Sequence, residues 1–293
     1  MSAFRCGSIA IVGRPNTGKS SLLNALLEHK LAIVSPKAQT TRHLVTGIRT
    51  TLDCQYIFVD SPGFQTEFKD PLHRMLNRRS DEAAQGADVV LQVVEAMRFV
   101  PADRAVLARM GARPVIVAVN KIDRVKGAGS LLPFLESLAR EHEFSALVPV
   151  SAKSGKNLGE LLRVLREVLP EQPAIYAPDQ LTDRDERFFA AEAIREKLFR
   201  ILGEDLPYRC EVVIESFKEE GALRRIEAVI LVERESQKAI VIGRKGEQLK
   251  RIASAARRDL ERLYGGKVYL GTWVKVRSGW SEDPRVLRQL GYG

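Results

Sequence analysis

The stretch from Gly13 to Ser20, GRPNTGKS, constrains this chain more than any other part of its sequence. It follows an apolar run at residues 8–12 and leads into the leucine-rich segment 21–27. This pattern predicts a phosphate-binding P-loop, in which a glycine-rich turn directs backbone N–H groups at an anion where a helix begins. Lys19 is expected to reach the outer phosphates and Ser20 to ligate Mg²⁺. The predicted nucleotide-binding residues of this stretch are Gly13, Arg14, Pro15, Asn16, Thr17, Gly18, Lys19, Ser20 and Ser21.

A second motif follows about 40 residues later, at the end of another apolar strand pattern. It consists of Asp60, Ser61, Pro62 and Gly63. Alone, this pattern is typical of a turn. After a P-loop it indicates an acid that holds magnesium through water and a glycine amide that senses the terminal phosphate.

Two further motifs close the apolar runs at residues 114–119 and 146–150, and together they predict which base is bound. The first contains Asn120, Lys121 and Asp123, and the second is Ser151-Ala152-Lys153. A carboxylate at Asp123 would accept hydrogen bonds from the N1–H and N2–H₂ groups of guanine, whereas adenine offers an unprotonated N1 there. An unpaired buried group costs about 1–3 kcal/mol, so guanine is favoured. Asn120 and the Ala152 amide would address the base oxygen, and the Lys121 stem would cover the ring.

The second half of the chain contains a different signal, Gly243-Arg244-Lys245-Gly246, followed by a helical pattern from Glu247. Between Lys238 and Arg277 there are eleven basic and three acidic residues. A G-x-x-G loop between two helices clamps single-stranded nucleotides in K-homology (KH) domains. The α-β-β-α-α-β order of the predicted elements favours this interpretation over a simple tight turn. The predicted RNA-binding residues are Gly243, Arg244, Lys245, Gly246, Lys250, Arg251 and Lys275.

Length and composition agree with two globular domains. The chain has 293 residues, of which 45% are hydrophobic and 28% are charged. We predict an α/β domain at residues 1–172, a proline-punctuated linker at 173–184 and a smaller α+β domain at 185–293. Three widely spaced cysteines indicate reduced thiols. No apolar run is long enough for a membrane span, and the first predicted strand begins so early that we expect no signal peptide. We therefore expect a cytoplasmic protein.

With these motifs in place, the whole chain resembles the Era family of bacterial GTPases. The resemblance is carried most specifically by residues 39–43 (QTTRH), Asp60-Ser61-Pro62-Gly63, residues 232–235 (VERE), residues 273–276 (WVKV) and residues 278–280 (SGW). The family usually has threonine where this chain has Ser61.

The resemblance implies a Ras-like GTPase domain with a mixed, mostly parallel sheet, followed by a type II KH domain. It implies GTP, GDP and Mg²⁺ as ligands, a first switch at residues 39–43 and a second switch opening at 60–64. Thr40 and Thr41 would then act with Lys19 and Gly63 in catalysis, and Thr41 would join Ser20 and Asp60 on Mg²⁺. The implied partners are the 3′ end of small-subunit rRNA, the 30S subunit during its assembly and the inner membrane surface, with the protein itself a monomer.

Phe64 departs from Ras-type chemistry, in which a glutamine after D-x-x-G orients the attacking water. An aromatic ring cannot do this, so slow intrinsic hydrolysis is expected. Gln65 could orient the water in place of this glutamine. Alternatively, Asn16 could hold a K⁺ ion that assists hydrolysis, or Asn16 could equally serve only to shape the loop. Two functions therefore stay open: an RNA-regulated GTPase switch, or an RNA-binding assembly factor in which GTP is mainly structural. An ATPase or small-molecule kinase is disfavoured by Asp123.

Overall fold

A computed structural model describes residues 3–35, 37, 40–65, 70–127, 129–203 and 205–292. The chain divides into two compact units. The first comprises Met1–Val34, Thr41–Lys69 and His73–Asp183, and the second comprises Ser35–Thr40, Asp70–Leu72 and Arg184–Gly293. Gln39, part of the predicted first switch, lies outside the described residues.

The first unit is built on a six-stranded sheet. Its strands are β1 (Arg5–Val12), β2 (Val45–Thr50), β3 (Cys54–Asp60), β4 (Val89–Glu95), β5 (Val115–Asn120) and β6 (Ala146–Pro149). They lie in the order β2-β3-β1-β4-β5-β6; β2 and β3 pair antiparallel, and the other described neighbours pair parallel. The predicted mixed, mostly parallel sheet is confirmed.

Helices cover this sheet on both faces, which explains its continuous apolar strands. They are α1 (Lys19–Leu27), α2 (Pro71–Gly86), α3 (Pro101–Leu107), α4 (Leu131–Ala139) and α5 (Leu158–Val168). All six residues of β5 are buried, as expected for a parallel strand packed on both sides. A core cluster joins valines of β4 and β5 to Ala84 of α2, Val106 of α3 and Leu138 of α4.

The register of the sheet brings the sequence motifs to one edge. Ile11 near the end of β1 lies beside Asp60 at the end of β3, and Glu95 at the end of β4 lies beside Asn120 at the end of β5. Carboxyl ends of parallel strands are where open α/β sheets bind ligands. The fold therefore assembles the predicted site from distant parts of the sequence.

The predicted linker packs on the first unit for much of its length. The Gln55 carboxamide oxygen accepts hydrogen bonds from the backbone N–H groups of Ile175 (2.8 Å) and Tyr176 (2.9 Å). Further along, the Ile48 N–H donates to the Leu181 carbonyl (2.8 Å). These bonds make residues 175–181 an ordered border of the first unit.

The second unit packs helices against a three-stranded sheet. Its elements are α6 (Glu186–Ile201), β7 (Glu211–Glu220), β8 (Leu223–Val232), α7 (Glu235–Ile242), α8 (Glu247–Tyr264), β9 (Lys267–Val276) and α9 (Pro284–Gln289). The sheet order is β7-β8-β9, with β7 and β8 antiparallel and β8 and β9 parallel. Ile194 of α6, Ile230 of β8, Val241 of α7 and Ile252 of α8 share one core. The α-β-β-α-α-β order predicted from sequence is confirmed, followed by a short terminal helix.

Across the described ranges, no helix combines the length and the apolar character needed to span a bilayer. Cys6, Cys54 and Cys210 are buried free thiols, as the sequence predicts.

Candidate nucleotide and RNA sites

The P-loop links β1 to α1, which is the strand–turn–helix order that its sequence predicts. Gly18 has a φ of 99°, and a Cβ atom at this position would lie 2.4 Å from Asn120 Nδ2, so glycine is required on both counts. The Lys19 ammonium is buried and donates to the carbonyl oxygens of Gly13 (3.0 Å) and Arg14 (3.1 Å). The Thr17 hydroxyl donates to the same Arg14 carbonyl (3.1 Å). The loop thus closes around its own lysine.

Three oxygen-bearing side chains from separate segments meet beside this loop. The Ser20 hydroxyl donates to Asp60 Oδ2 (2.6 Å) and lies 2.8 Å from the Thr41 hydroxyl oxygen. The Thr41 hydroxyl donates to the same Asp60 oxygen (3.5 Å). Asp60 is fully buried, and its other oxygen, Oδ1, has no hydrogen-bond partner among the described residues.

The electrostatics of this cluster favour an added ligand. Burial raises the pKa of Asp60 to about 6, although the Lys19 charge and the hydroxyls of Ser20 and Thr41 oppose the change. Burial likewise lowers the pKa of Lys19 to about 8. Each charge is incompletely compensated by its surroundings. A phosphate near Lys19 and a cation near Asp60 would relieve both.

The residues present fit Mg²⁺. This ion prefers oxygen donors, and in nucleotide enzymes it is held by one or two carboxylates together with substrate phosphates and water. Ser20, Thr41 and the second oxygen of Asp60 supply such donors. Within the part of the chain that the structure describes, no group of three or more His, Cys, Asp or Glu side chains offers an alternative metal site.

The segment after Asp60 is fastened to β1 and the P-loop. The Ser61 hydroxyl donates to the Ile11 carbonyl (2.8 Å), so serine performs this role without the threonine methyl group. The Ser80 hydroxyl donates to the Pro62 carbonyl (2.9 Å), and the Phe64 N–H donates to the Gly13 carbonyl (3.2 Å). Gly63 packs against the backbone of Pro15. Gly63, the predicted sensor of the terminal phosphate, therefore lies directly against the P-loop.

The two motifs that are predicted to read the base are brought together by one side chain, that of Asn120. Its amide nitrogen donates to the Thr17 carbonyl (2.9 Å), and its carbonyl oxygen accepts from the N–H groups of Lys121 (2.8 Å) and Ala152 (3.0 Å). The Ala152 amide, which we expected to address the base, is thus bonded to Asn120 here. Asn120 joins the P-loop to the two loops that follow β5 and β6.

Asp123 lies exposed in a short 3₁₀ turn beside these loops. The Ser151 hydroxyl donates to its Oδ1 (2.6 Å), and this bond lowers the pKa of Asp123, with a smaller contribution from Lys153. The carboxylate is therefore ionised at neutral pH. Lys121 Nζ donates to the Asn16 carbonyl (2.7 Å), which stretches its stem across the space between P-loop and base motif.

One residue of this site, Glu95, has no sequence motif to reveal it. Its carboxylate lies 3.1 Å from Lys121 Nζ and 3.4 Å from an Arg14 nitrogen. Burial opposes ionisation, but the two cations outweigh it and lower the pKa of Glu95. Its position at the end of β4 is the only sequence signal that could have indicated it. Arg14, predicted as a phosphate-loop residue, also pairs with buried Asp103 (3.1 Å).

The predicted second switch includes Phe64, which stands where Ras-type enzymes have a glutamine. The Phe64 ring packs against the core of the first unit, with the Arg109 guanidinium carbon 4.3 Å from its centre. The Gln65 backbone bonds to the Asn77 side chain in both directions, and the Gln65 side-chain oxygen is buried without a partner among the described residues. The Thr40 hydroxyl, unlike the Thr41 hydroxyl, bonds within its own segment, to the Ser35 hydroxyl (2.6 Å) and the Lys37 carbonyl (2.9 Å).

In the second unit, the G-x-x-G loop connects α7 to α8. Gly243 has a φ of 72°, and a Cβ atom there would lie 2.6 Å from Gln248 Cβ. Arg244 and Lys245 make no ion pair with any described residue, and Ile240 is an exposed apolar side chain one turn earlier. Lys250 and Arg251 are exposed on α8. Lys275, in contrast, pairs with Glu215 (2.7 Å).

Comparison with known proteins agrees with this geometry. A family model described as a 50S ribosome-binding GTPase matches residues 8–121, and a KH domain model matches residues 205–281. GTPase Era of Chromobacterium violaceum is 52% identical over 289 residues, which cover 98% of each chain. The chain belongs to the Era family of GTPases. GTPase Era of Nitrosomonas eutropha is 50% identical over 99% of both chains.

Solved Era structures share the fold of both units. A variant of Aquifex aeolicus Era bound to GDP.AlF4⁻ superposes with a TM-score of 0.95 at 38% identity, covering 99% of this chain and 100% of that one. An Era complex with MgGDPNP and nucleotides 1506–1542 of 16S ribosomal RNA gives the same TM-score and identity and covers 99% of both chains. The predicted fold class and GTPase activity are confirmed.

Proposed function

We propose that this Era-family GTPase binds small-subunit rRNA near its 3′ end and assists assembly of the 30S subunit as a cytoplasmic monomer. GTP binding is supported above all by the Asn120 side chain, which joins the P-loop to both loops that would read the base. RNA binding is supported by Arg244 and Lys245 of the G-x-x-G loop, which form no ion pair with a described residue, and by the Era complex with 16S rRNA nucleotides. We further propose peripheral contact with the inner membrane surface, which rests on family resemblance alone.

In the proposed reaction, Lys19 binds the outer phosphates. The segments that contain Gly63 and Thr40 act as switches, because they respond to the presence of the terminal phosphate. Mg²⁺ bound by Ser20, Thr41 and Asp60 would neutralise charge that develops on the phosphates. Phe64 supplies no polar atom to hold the attacking water, so intrinsic turnover is slow. We retain two alternatives for Asn16: it holds a K⁺ ion that supplies the missing charge, or it only shapes the loop.

Guanine selection is tested by Asp123→Asn. The amide would present a donor to the N1–H and N2–H₂ edge of guanine, whereas xanthine offers an acceptor at position 2. Competition between GTP and XTP for a fluorescent nucleotide should therefore shift toward XTP in the variant. Retained preference for GTP would show that Asp123 does not read the base.

RNA binding by the G-x-x-G loop is tested by replacing Arg244 and Lys245 together with aspartate. Affinity for a single-stranded oligonucleotide of the rRNA 3′ end should fall, and the slope of log K against log salt should become shallower by about 0.7 for each phosphate that is no longer neutralised. GTP binding serves as the control, because the nucleotide residues are untouched. Unchanged RNA affinity would place the RNA site elsewhere.

A second candidate function is an RNA-binding assembly factor in which GTP is mainly a structural ligand. It is favoured by Phe64, whose packing against Arg109 leaves no water-orienting group at that position. Single-turnover hydrolysis with and without the rRNA oligonucleotide separates the two. A switch predicts strong acceleration or inhibition by RNA, and a structural role predicts equal rates.

A further inference from the structure

Glu95 contacts both the P-loop and the loop that follows β5, and its carboxylate lies among three cations. It is the last residue of β4 and lies beside Asn120 at the end of β5. Its Oε1 atom lies 3.1 Å from Lys121 Nζ and 3.9 Å from an Arg124 nitrogen, and its Oε2 atom lies 3.4 Å from an Arg14 nitrogen. One acid therefore balances three bases at this edge of the sheet.

The three cations do not depend on Glu95 equally. Arg14 has a second acid, the fully buried Asp103, at 3.1 Å, and this partner would remain if the Glu95 charge were removed. The side chain of Arg124 is 69% exposed, so water screens its charge. Among the acids that the structure describes, only Glu95 lies within ion-pair distance of Lys121. Lys121 is therefore the cation whose position depends most on Glu95.

The side chain of Lys121 is held at both of its ends. Its backbone has a φ of 68°, which non-glycine residues seldom adopt, and its N–H donates to the Asn120 side-chain oxygen (2.8 Å). Its ammonium group donates to the Asn16 carbonyl of the P-loop (2.7 Å) and pairs with Glu95. The side chains of Lys121 and Glu95 are only 20% and 21% exposed, so solvent screens this pair less than a surface pair. The aliphatic stem between the two anchors spans the space between the P-loop and the predicted guanine motif.

Removing the Glu95 charge would release the ammonium end of this stem. Lys121 would keep one neutral acceptor, the Asn16 carbonyl, and the positive charge of nearby Arg14 would no longer be shared with Glu95. Lysine has a flexible stem and a strongly hydrated ammonium group. The ammonium group would therefore turn toward water, and the stem would leave the position in which it covers a bound base.

We propose that Glu95 is a positioning residue that sets how long a guanine nucleotide stays bound, because it holds the Lys121 stem over the base. The inference rests on the proposed role of Lys121 in covering guanine, and it adds the group that keeps the stem in place. GTP and GDP share the same base. Glu95 therefore slows the release of both nucleotides to the same extent.

The test measures nucleotide release from the full-length protein by stopped-flow fluorescence, with an excess of unlabelled GDP as the chase. The probes are GDP and a non-hydrolysable GTP analogue, each labelled on the ribose so that the base is unmodified. The variants are Glu95→Gln, Glu95→Asp, Lys121→Met and the combination of Glu95→Gln with Lys121→Met. Methionine keeps most of the lysine stem and removes its charge.

Glu171→Gln provides the matched control in the same unit. Glu171 pairs with Arg5 at the same distance, 3.1 Å, but Arg5 begins β1 and so lies at the end of the strand opposite the P-loop. The control removes one paired carboxylate away from the site, and its release rates should equal those of wild type.

Glu95→Gln should release both nucleotides about 10-fold faster than wild type, because a hydrogen-bonded charge pair is lost. Lys121→Met should accelerate release by a similar factor. The double variant should release nucleotide no faster than Lys121→Met, because Glu95 acts through the lysine, whereas a merely structural role of Glu95 would add its own effect. Glu95→Asp keeps the charge and should release nucleotide more slowly than Glu95→Gln.

Release from Glu95→Gln at the rate of the control would overturn the proposal. A double variant clearly faster than Lys121→Met would also overturn it, since Glu95 would then act through Arg14 or through the fold. Acceleration confined to the GTP analogue would place the effect at the terminal phosphate and overturn it as well.

The Lys121→Met variant separates this inference from the function on which it rests. If Lys121→Met released nucleotide at the wild-type rate, the proposed contact of Lys121 with the base would be refuted, and this inference with it. If Lys121→Met accelerated release and Glu95→Gln did not, the proposed guanine contact would stand and only the role of Glu95 would be overturned.

Discussion

Replacing Asn120 with alanine should separate the P-loop from the two loops that are predicted to read the base. The asparagine side chain is 2% exposed and makes three hydrogen bonds, to Thr17, Lys121 and Ala152. A hydrogen bond contributes about 1 kcal/mol net, and a buried partner left unpaired costs about 1–3 kcal/mol. We therefore expect the first unit to lose about 3 kcal/mol of stability, together with guanine-nucleotide affinity.

The assay is calorimetry of the full-length protein, because both tryptophans, Trp273 and Trp280, lie in the second unit and their fluorescence does not report on the first. For a unit of this size, about 3 kcal/mol corresponds to a decrease of about 6–12 °C in the melting temperature. Fluorescent GTP titration should show weaker binding in parallel, and the tryptophan transition of the second unit should stay unchanged.

Asn157→Gly provides a control in the same unit. Asn157 has a φ of 61° and makes one exposed bond to the Pro149 carbonyl (2.8 Å), so glycine tolerates the backbone and only one solvated bond is removed. Its melting temperature should change by less than about 3 °C. If Asn120→Ala behaved like this control in stability and in GTP affinity, the bridging role of Asn120 would be refuted.

Three further predictions concern the phosphate end of the site. Lys19→Ala should abolish GTP turnover while the far-ultraviolet circular dichroism stays native, and normal turnover by the folded variant would contradict the role of Lys19. Burial raises the pKa of Asp60 from 3.8 to about 6, so its ionisation destabilises the nucleotide-free fold progressively from about pH 4 to pH 6 and fully above that range. Asp60→Asn should accordingly raise the stability of nucleotide-free protein by up to about 3 kcal/mol at about pH 7.5 but not at about pH 4, and an equal effect at both pH values would disprove this account. If Asn16 holds K⁺, turnover should be faster in KCl than in NaCl at matched ionic strength, and equal rates would favour the loop-shaping alternative.

Local sequence was sufficient for features that depend on residue type at fixed spacing. The P-loop is one, because Gly18 and Lys19 must occupy adjacent positions in a turn that leads into a helix. The G-x-x-G loop is another, since Gly243 adopts a backbone conformation that disfavours other residues. Valine-rich runs likewise revealed the buried strands, and the motifs at their ends predicted the edge of the sheet where the site forms.

Other features depend on contacts between residues far apart in sequence, and no local pattern carries them. The sequence pattern predicts no helix or strand at residues 124–145. The structure has α4 there, which contributes Leu138 to the core although Pro133 lies in its first turn. The sequence predicts a proline-punctuated linker after residue 172, but not that Gln55 binds the backbone of this segment from 120 residues away.

The same distinction applies within the site. Sequence alone predicts which residues bind phosphate, magnesium and guanine, because those chemistries require particular side chains. Tertiary structure decided how they are joined: Asn120 reaches Thr17 across 103 residues, and Glu95 neutralises Arg14 and Lys121 from a strand with no motif. It also set the pKa values of Lys19 and Asp60, since burial is a property of the packed fold and not of the residues near them in sequence.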